Sequence, residues 1–169
     1  MQKRYGFTLI ELLIVIGLIA ILAGIVFVAL DPLTRFRDAR NSRRYADVSS
    51  MLTAIRVNQV DNGGNYIAEI TALVDGTYYM IGTNSGLVGP TACVANTPCA
   101  QTITDDNCVN ITPISTAGYL GTVPISPKGA AAANWVAGKT GYYLRKNANK
   151  SVTIGACESE TAPAIEVTR

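Results

Sequence analysis

Phe7-Thr8-Leu9-Ile10-Glu11-Leu12-Leu13-Ile14-Val15-Ile16-Gly17-Leu18-Ile19-Ala20-Ile21-Leu22-Ala23-Gly24-Ile25-Val26-Phe27-Val28-Ala29-Leu30 is a run of 24 residues with a single charge, Glu11. As a helix it extends about 36 Å, enough to cross a bilayer core of about 30 Å. Six residues precede it, with Lys3 and Arg4 among them, and Asp31-Pro32 closes it. An ordinary secretory signal is cut at small residues after a shorter apolar stretch. Ala20, Ala23 and Gly24 are small, but the run is too long for that reading. A plain membrane anchor accounts for the length and leaves Glu11 unexplained. An unpaired carboxylate in hydrocarbon costs at least about 2.5 kcal/mol, so an intramembrane acid marks a functional position.

The rest of the composition agrees with a special front end on a small body. Of 169 residues, 49% are hydrophobic and only 15% charged, below the quarter usual for soluble domains. There is no histidine, which removes the commonest general base and metal ligand. Without Lys3 and Arg4, basic and acidic side chains balance at 12 each, so net charge offers no attraction for nucleic acid. No nucleophile–base pair and no phosphate loop stands out, no cofactor is implied, and the chain does not read as an enzyme.

Lys3-Arg4-Tyr5-Gly6 followed by Phe7-Thr8-Leu9-Ile10-Glu11-Leu12-Leu13-Ile14-Val15-Ile16 closely resembles the class III signal of type IV pilins and of the pseudopilins of type II secretion. The resemblance covers about thirty residues. It implies a leader (1–6) cut after Gly6 by a membrane prepilin peptidase, and N-methylation of the new first residue, Phe7. It places Glu11 at the fifth mature position, where the family has its assembly glutamate. It further implies a transmembrane and assembly helix (7–30) and an extracellular globular domain (31–169). The partners implied are the cytoplasmic membrane, the pilus assembly machinery and identical subunits in a helical filament. Three functions remain open: a surface pilin, a pseudopilin of a secretion or competence apparatus, and a minor DNA-binding pilin.

Chemistry suits this assignment. Cleavage frees an ammonium at Phe7, four residues before Glu11, and residues i and i+4 share a helix face. Glu11 can then pair with its own chain's amine in the membrane and with a neighbour's amine in a filament. Gly17, Gly24 and Pro32 are the candidate points of helix melting, since glycine weakens a helix and proline removes a backbone donor. Family members often carry a proline at about mature position 22; here Pro32 is at mature position 26.

The fold class expected is α+β, a long N-terminal helix packed on a small antiparallel sheet, rich in loops. After Pro32 the helix resumes and runs to about Asn58, with an apolar stripe of Tyr45, Val48, Leu52 and Ile55 and Met51 alongside. Asp61-Asn62-Gly63-Gly64-Asn65 ends it. Arg35, Arg37, Arg40, Arg43, Arg44 and Arg56 are expected on the other faces, as a solvated surface, as partners for acids on neighbouring subunits, or as a nucleic-acid patch. Five of them flank the span on its outer side, against the usual positive-inside bias.

Thr77–Ile81, Gly141–Arg145 and Ser151–Ala156 are rich in strand formers, and the last two flank the polar turn Lys146-Asn147-Ala148-Asn149-Lys150 as a hairpin. The stretch from Tyr119-Leu120 through Pro124 and Pro127 to Glu158 resembles, more loosely, the closing segment of small pilins and of the major pseudopilin.

Cys93, Cys99, Cys108 and Cys157 all fall in the domain expected outside the cell, where an even count favours disulfides over a metal site. Of three possible pairings we prefer Cys93–Cys99 with Cys108–Cys157. The first closes a compact loop around Pro98, and the second ties the long loop to the last strand. Asp105-Asp106-Asn107 and Asp61-Asn62-Asn65 carry oxygen ligands without the spacing of a calcium loop, and read as turns. Asn110-Ile111-Thr112 and Asn149-Lys150-Ser151 fit the N-glycosylation tripeptide.

Overall fold

The computed structural model describes residues 6–83, 93, 99, 101–103, 108–129, 134–161 and 163–169. The chain forms two compact units, residues 1–36 and 37–169.

Helix α1 (Leu9–Leu30) makes up most of the first unit. It runs unbroken through Gly17 and Gly24, and none of its side chains is buried. It ends at Asp31, whose φ of 36° and ψ of 72° are left-handed and unusual for a residue with a Cβ. Helix α2 (Pro32–Asp61) starts at the next residue. Proline suits a first helical position because its missing N–H would be unbonded there anyway. The Asp31 carbonyl accepts from the Arg35 N–H at 3.3 Å, and its carboxylate accepts from the Thr34 hydroxyl at 2.6 Å. The interruption between the helices is therefore centred on Asp31, next to Pro32 and away from both glycines.

The second unit packs α2 on a four-stranded antiparallel sheet. Its strands are β1 (Tyr78–Met80), β2 (Tyr142–Lys146), β3 (Val152–Ala156) and β4 (Glu166–Thr168), in that spatial order. Fold class and hairpin follow the expectation. Lys146 pairs with Val152 and Tyr142 with Ala156, on either side of the polar turn. Strand β4 and the short helices α3 (Ala68–Thr71) and α4 (Thr112–Thr116) lie in sequence that reads as loop. Helix α2 extends to Asp61 and closes through left-handed Gly63 and Gly64, with the Gly64 N–H on the Gln59 carbonyl at 2.8 Å.

The sheet is buried on both faces. One face carries Tyr79, Tyr142, Leu144, Ile154 and Ala156 into the main core, against Val48, Met51, Leu52 and Ile55 of α2. The other carries Met80 and Tyr143 into a second cluster with Cys93, Cys99, Ile103 and Cys157. Alternation along β2 sends Tyr142 and Leu144 one way and Tyr143 the other. The α2 stripe is rotated from its expected position: Tyr45 is 57% exposed, whereas Arg44 is 0% exposed. Arg44, Val48, Met51 and Ile55 follow the helical i, i+4, i+7, i+11 spacing, so the buried line passes through the arginine.

Gly155 of β3 lets the Tyr143 phenol close down on the strand. A Cβ there would overlap the tip of the Tyr143 ring and come within 2.8 Å of the Ile165 carbonyl oxygen. Gly155→Ala is expected to destabilise the second unit by about 1–3 kcal/mol through overpacking. Thermal unfolding of the full chain in micelles measures this. Gly121→Ala, where a Cβ meets nothing within 4 Å, is the control expected to leave the melting temperature unchanged.

Candidate assembly site

At the head of α1, Thr8 is the N-cap, in extended backbone with φ −78° and ψ 153°. Its hydroxyl oxygen accepts from the Glu11 N–H at 3.3 Å. In return Glu11 Oε2 accepts from the Thr8 N–H and from the Thr8 hydroxyl, each at 2.8 Å. This is a capping box, which satisfies helix donors that have no intrahelical partner. Phe7 is 90% exposed just outside it. The self-pairing of Glu11 with the Phe7 amine is an expectation for the cleaved chain, and this chain carries residues 1–6. With the Gly6–Phe7 peptide bond intact, the Phe7 nitrogen is a neutral amide. Thr8 takes its place as the carboxylate's partner. Sequence reading missed Thr8, although Thr-x-x-Glu before an apolar run is a capping signature. Gly17 and Gly24 face open space, where an added Cβ meets nothing within 4 Å.

The arginines do not act as one surface patch. Arg44 is fully buried, and all five of its N–H donors are engaged. Nη1 donates to Glu160 Oε1 at 2.9 Å and to Asn41 Oδ1 at 2.8 Å. Nη2 donates to Glu158 Oε2 at 3.2 Å and to the Pro127 carbonyl at 2.9 Å, and Nε donates to Ser126 Oγ at 3.2 Å. Arg40 forms a two-pronged pair with Glu160, through Nε to Oε1 at 2.6 Å and through Nη2 to Oε2. The Trp135 indole N–H reaches Glu158 Oε2 at 3.4 Å. Two cations thus meet two carboxylates. The cluster fastens α2 to the segment after Cys157 and to the segment at Ser126-Pro127. Arg43 makes a longer i, i+4 contact with Asp47, at 4.0 Å. Three of the five clustered arginines, Arg40, Arg43 and Arg44, therefore find acids within this chain. Burial and the carboxylate of Asp47, 2.6 Å from the hydroxyl, push the Tyr142 phenol far above its ordinary range.

The disulfides correct the preferred pairing. Cys93 joins Cys108, and Cys99 joins Cys157. The expected Cys93–Cys99 and Cys108–Cys157 bridges do not form. The compact-loop argument considered only chain separation, whereas the second cluster brings Cys99 against the end of β3, beside Met80 and Tyr143. The Cys99–Cys157 bridge therefore delivers Glu158 directly onto Arg44. Asp105-Asp106-Asn107 lies outside the described residues. The Asp61 carboxylate pushes the Tyr119 phenol above its ordinary range. In both glycosylation-type tripeptides the asparagine oxygen is taken by its own turn: Asn110 Oδ1 accepts from the Thr112 N–H at 2.9 Å, and Asn149 Oδ1 from the Ser151 N–H at 3.0 Å.

Residues 1–27 match the family model of the prokaryotic N-terminal methylation motif. The chain carries a type IV pilin-like class III signal. No curated protein and no solved structure matches the chain. The motif supports a type IV pilin-like or pseudopilin protein and points to a structural protein rather than an enzyme. With a helix long and apolar enough to cross a membrane, it supports a membrane-anchored precursor.

The cluster of Arg40, Arg44, Glu158 and Glu160 carries a pH dependence. Hydrogen bonding from Arg40, reinforced by Arg44, holds the Glu160 carboxyl down at about 2, from an ordinary 4.5. Glu160 then binds its proton more weakly in the folded chain than in the unfolded one. Its contribution is complete above about pH 4.5 and is lost as pH falls toward about 2. Thermal unfolding between about pH 7 and about pH 3 is expected to show a fall in melting temperature. Glu160→Gln should be less stable at neutral pH and show a shallower decline. An equal decline in both proteins would remove Glu160 as the cause.

Proposed function

We propose that this chain is the precursor of a filament subunit. Prepilin peptidase cuts between Gly6 and Phe7, and the new amino group of Phe7 is methylated. Residues 7–30 hold the subunit in the cytoplasmic membrane with residues 31–169 on the outer side. Subunits then leave the membrane and polymerise, through their apolar helices, into a type IV pilus-like surface fibre. The observation that carries this reading is the methylation motif on a helix whose side chains are all exposed. Such a helix requires an apolar environment from lipid or from other copies. Glu11 supplies register: a subunit docks where its carboxylate meets a neighbour's ammonium, because a buried charge stranded without its partner is costly. Gly17, Gly24 and Pro32 remain the positions at which the helix would loosen on assembly, with Asp31 as their neighbour. Nucleic acid is not a partner in this reading.

A pseudopilin of a secretion or competence apparatus shares every one of these steps up to polymerisation and differs in its product, a short periplasmic rod. Imaging purified surface fibres and identifying their main protein separates the two.

Two outcomes test the proposal. Mass spectrometry of the membrane-inserted and fibre forms is expected to find Phe7 as the first residue, carrying a methyl group. A chain beginning at Met1, or one cut after Ala23, overturns the processing step. Glu11→Ala is expected to insert normally and to lose fibres at equal membrane levels, since the unpaired ammonium costs about 3–5 kcal/mol per buried pair. That variant also removes the capping box, so Glu11→Gln is the sharper test. Its amide oxygen can still accept from Thr8, but it carries no charge. Fibre loss in Glu11→Gln assigns the effect to charge pairing, and normal fibres from it would assign the role of Glu11 to helix capping.

A further inference from the structure

The second unit contains a cavity of about 300 Å³ whose described lining includes no residue of the Arg44 cluster and no cysteine, and for which assembly supplies no use. Three segments wall it. The first is the end of β1 with Gly82 and Thr83, the second is α4 with the turn after it, and the third is the stretch leading into β2. They are tied together. The Thr83 N–H donates to the Ala137 carbonyl at 3.0 Å, and the Thr140 hydroxyl donates to the Ile81 carbonyl at 2.6 Å. The Ser115 hydroxyl donates to the Gly121 carbonyl at 3.1 Å. Gly82 is required here, since a Cβ would overlap the Gly138 carbonyl. The walls are thus preformed, as in small-molecule sites generally.

The chemistry of the lining is selective. Val123 and Ala137 give it an aliphatic side, backed by the buried Ile81 and Ile111. The hydroxyls of Thr83, Thr112 and Thr122 and the amide nitrogen of Asn110 have no hydrogen-bond partner among the described residues, while Asn110 Oδ1 is held by its turn. No charged side chain is among the described lining residues. A charged ligand would lose hydration with no counter-charge, and a wholly apolar ligand would dehydrate the free hydroxyls without replacing their bonds. The volume lies at the lower end for ligand sites, which limits the occupant to one ring. The geometry points to a binding site for a single neutral sugar ring, its C–H face on the aliphatic side and its hydroxyls on the three threonines and Asn110. This chemistry is shared by a free monosaccharide and by the terminal residue of a glycan chain.

The test uses the full chain, disulfides intact, in a detergent without a sugar headgroup. The probes are methyl N-acetylglucosaminide, methyl glucosaminide as a cation and methyl glucuronide as an anion, followed by NMR chemical shifts of the threonine methyl groups. The neutral probe is expected to bind saturably with shifts at Thr83, Thr112 and Thr122, and both charged probes about tenfold or more weakly. Thr112→Val should weaken the neutral probe by about three- to tenfold, the loss of one hydrogen bond. Ala137→Leu, at an exposed lining position, should abolish binding with the melting temperature unchanged; Thr122→Val, also exposed, replaces it if that variant fails to fold. Lack of saturation by the neutral probe, equal binding of the charged probes, or binding that survives these substitutions overturns the proposal. An immobilised oligosaccharide ending in the same ring separates the sources. Capture together with binding of the free glycoside assigns a glycan end, and binding of the free glycoside alone assigns a free sugar.

Discussion

A helix of 22 residues that buries none of its own side chains cannot be explained by the interior of the chain that carries it. That constraint governs the molecule. Helix α1 satisfies its backbone internally, as any segment in hydrocarbon must, and presents leucine, isoleucine and valine on every side. The polar detail is confined to its ends. Thr8 and Glu11 close the first turn on each other, and Asp31 turns the chain out of the helix before Pro32 starts the next. The single carboxylate of the span is thus held by Thr8, through both its N–H and its hydroxyl.

Because α1 contributes no buried side chain, the second unit has to build its own interior from α2, the short helices α3 and α4, one small sheet and two disulfides. It does so in two layers. The main core lies between α2 and the sheet, and a smaller cluster on the opposite face is organised around the cysteines. The Arg44 cluster joins the helix to the chain end. Its full complement of acceptors allows a guanidinium to be buried without a stranded charge, and removal of either carboxylate would undo that balance. The position of Cys157, one residue before Glu158, couples the covalent tie to the ionic one.

Much of this architecture is legible in the sequence. The unbroken apolar run, the three-and-four spacing of Val48, Met51, Leu52 and Ile55, and the polar turn between two strand-forming segments each depend on near neighbours in sequence. The errors have a common origin. Tyr45 and Arg44 are adjacent, and hydrophobicity alone favours the tyrosine for the core. The choice was reversed by Glu158 and Glu160, more than a hundred residues away, which supply the counter-charge that makes arginine tolerable inside. Strand β4, only three residues long, forms because β3 offers it an edge, and nothing in its own composition announces it. The cysteine pairing failed similarly: chain separation ranks loop closures, but proximity in the folded sheet decides which sulfurs meet.

Residues close in sequence are enough for the class: a basic start, an apolar run with one acid inside a methylation motif, a helix-plus-sheet body and an even set of cysteines. These are local signals, carried by residues a few positions apart, where helical period and strand propensity act. Tertiary structure alone decided which face of α2 is buried, which cysteines pair, which arginines are neutralised within the chain and where a neutral cavity opens. Each of those outcomes depends on groups remote in sequence being brought within a few ångströms, where desolvation and charge pairing, rather than intrinsic preference, select the arrangement.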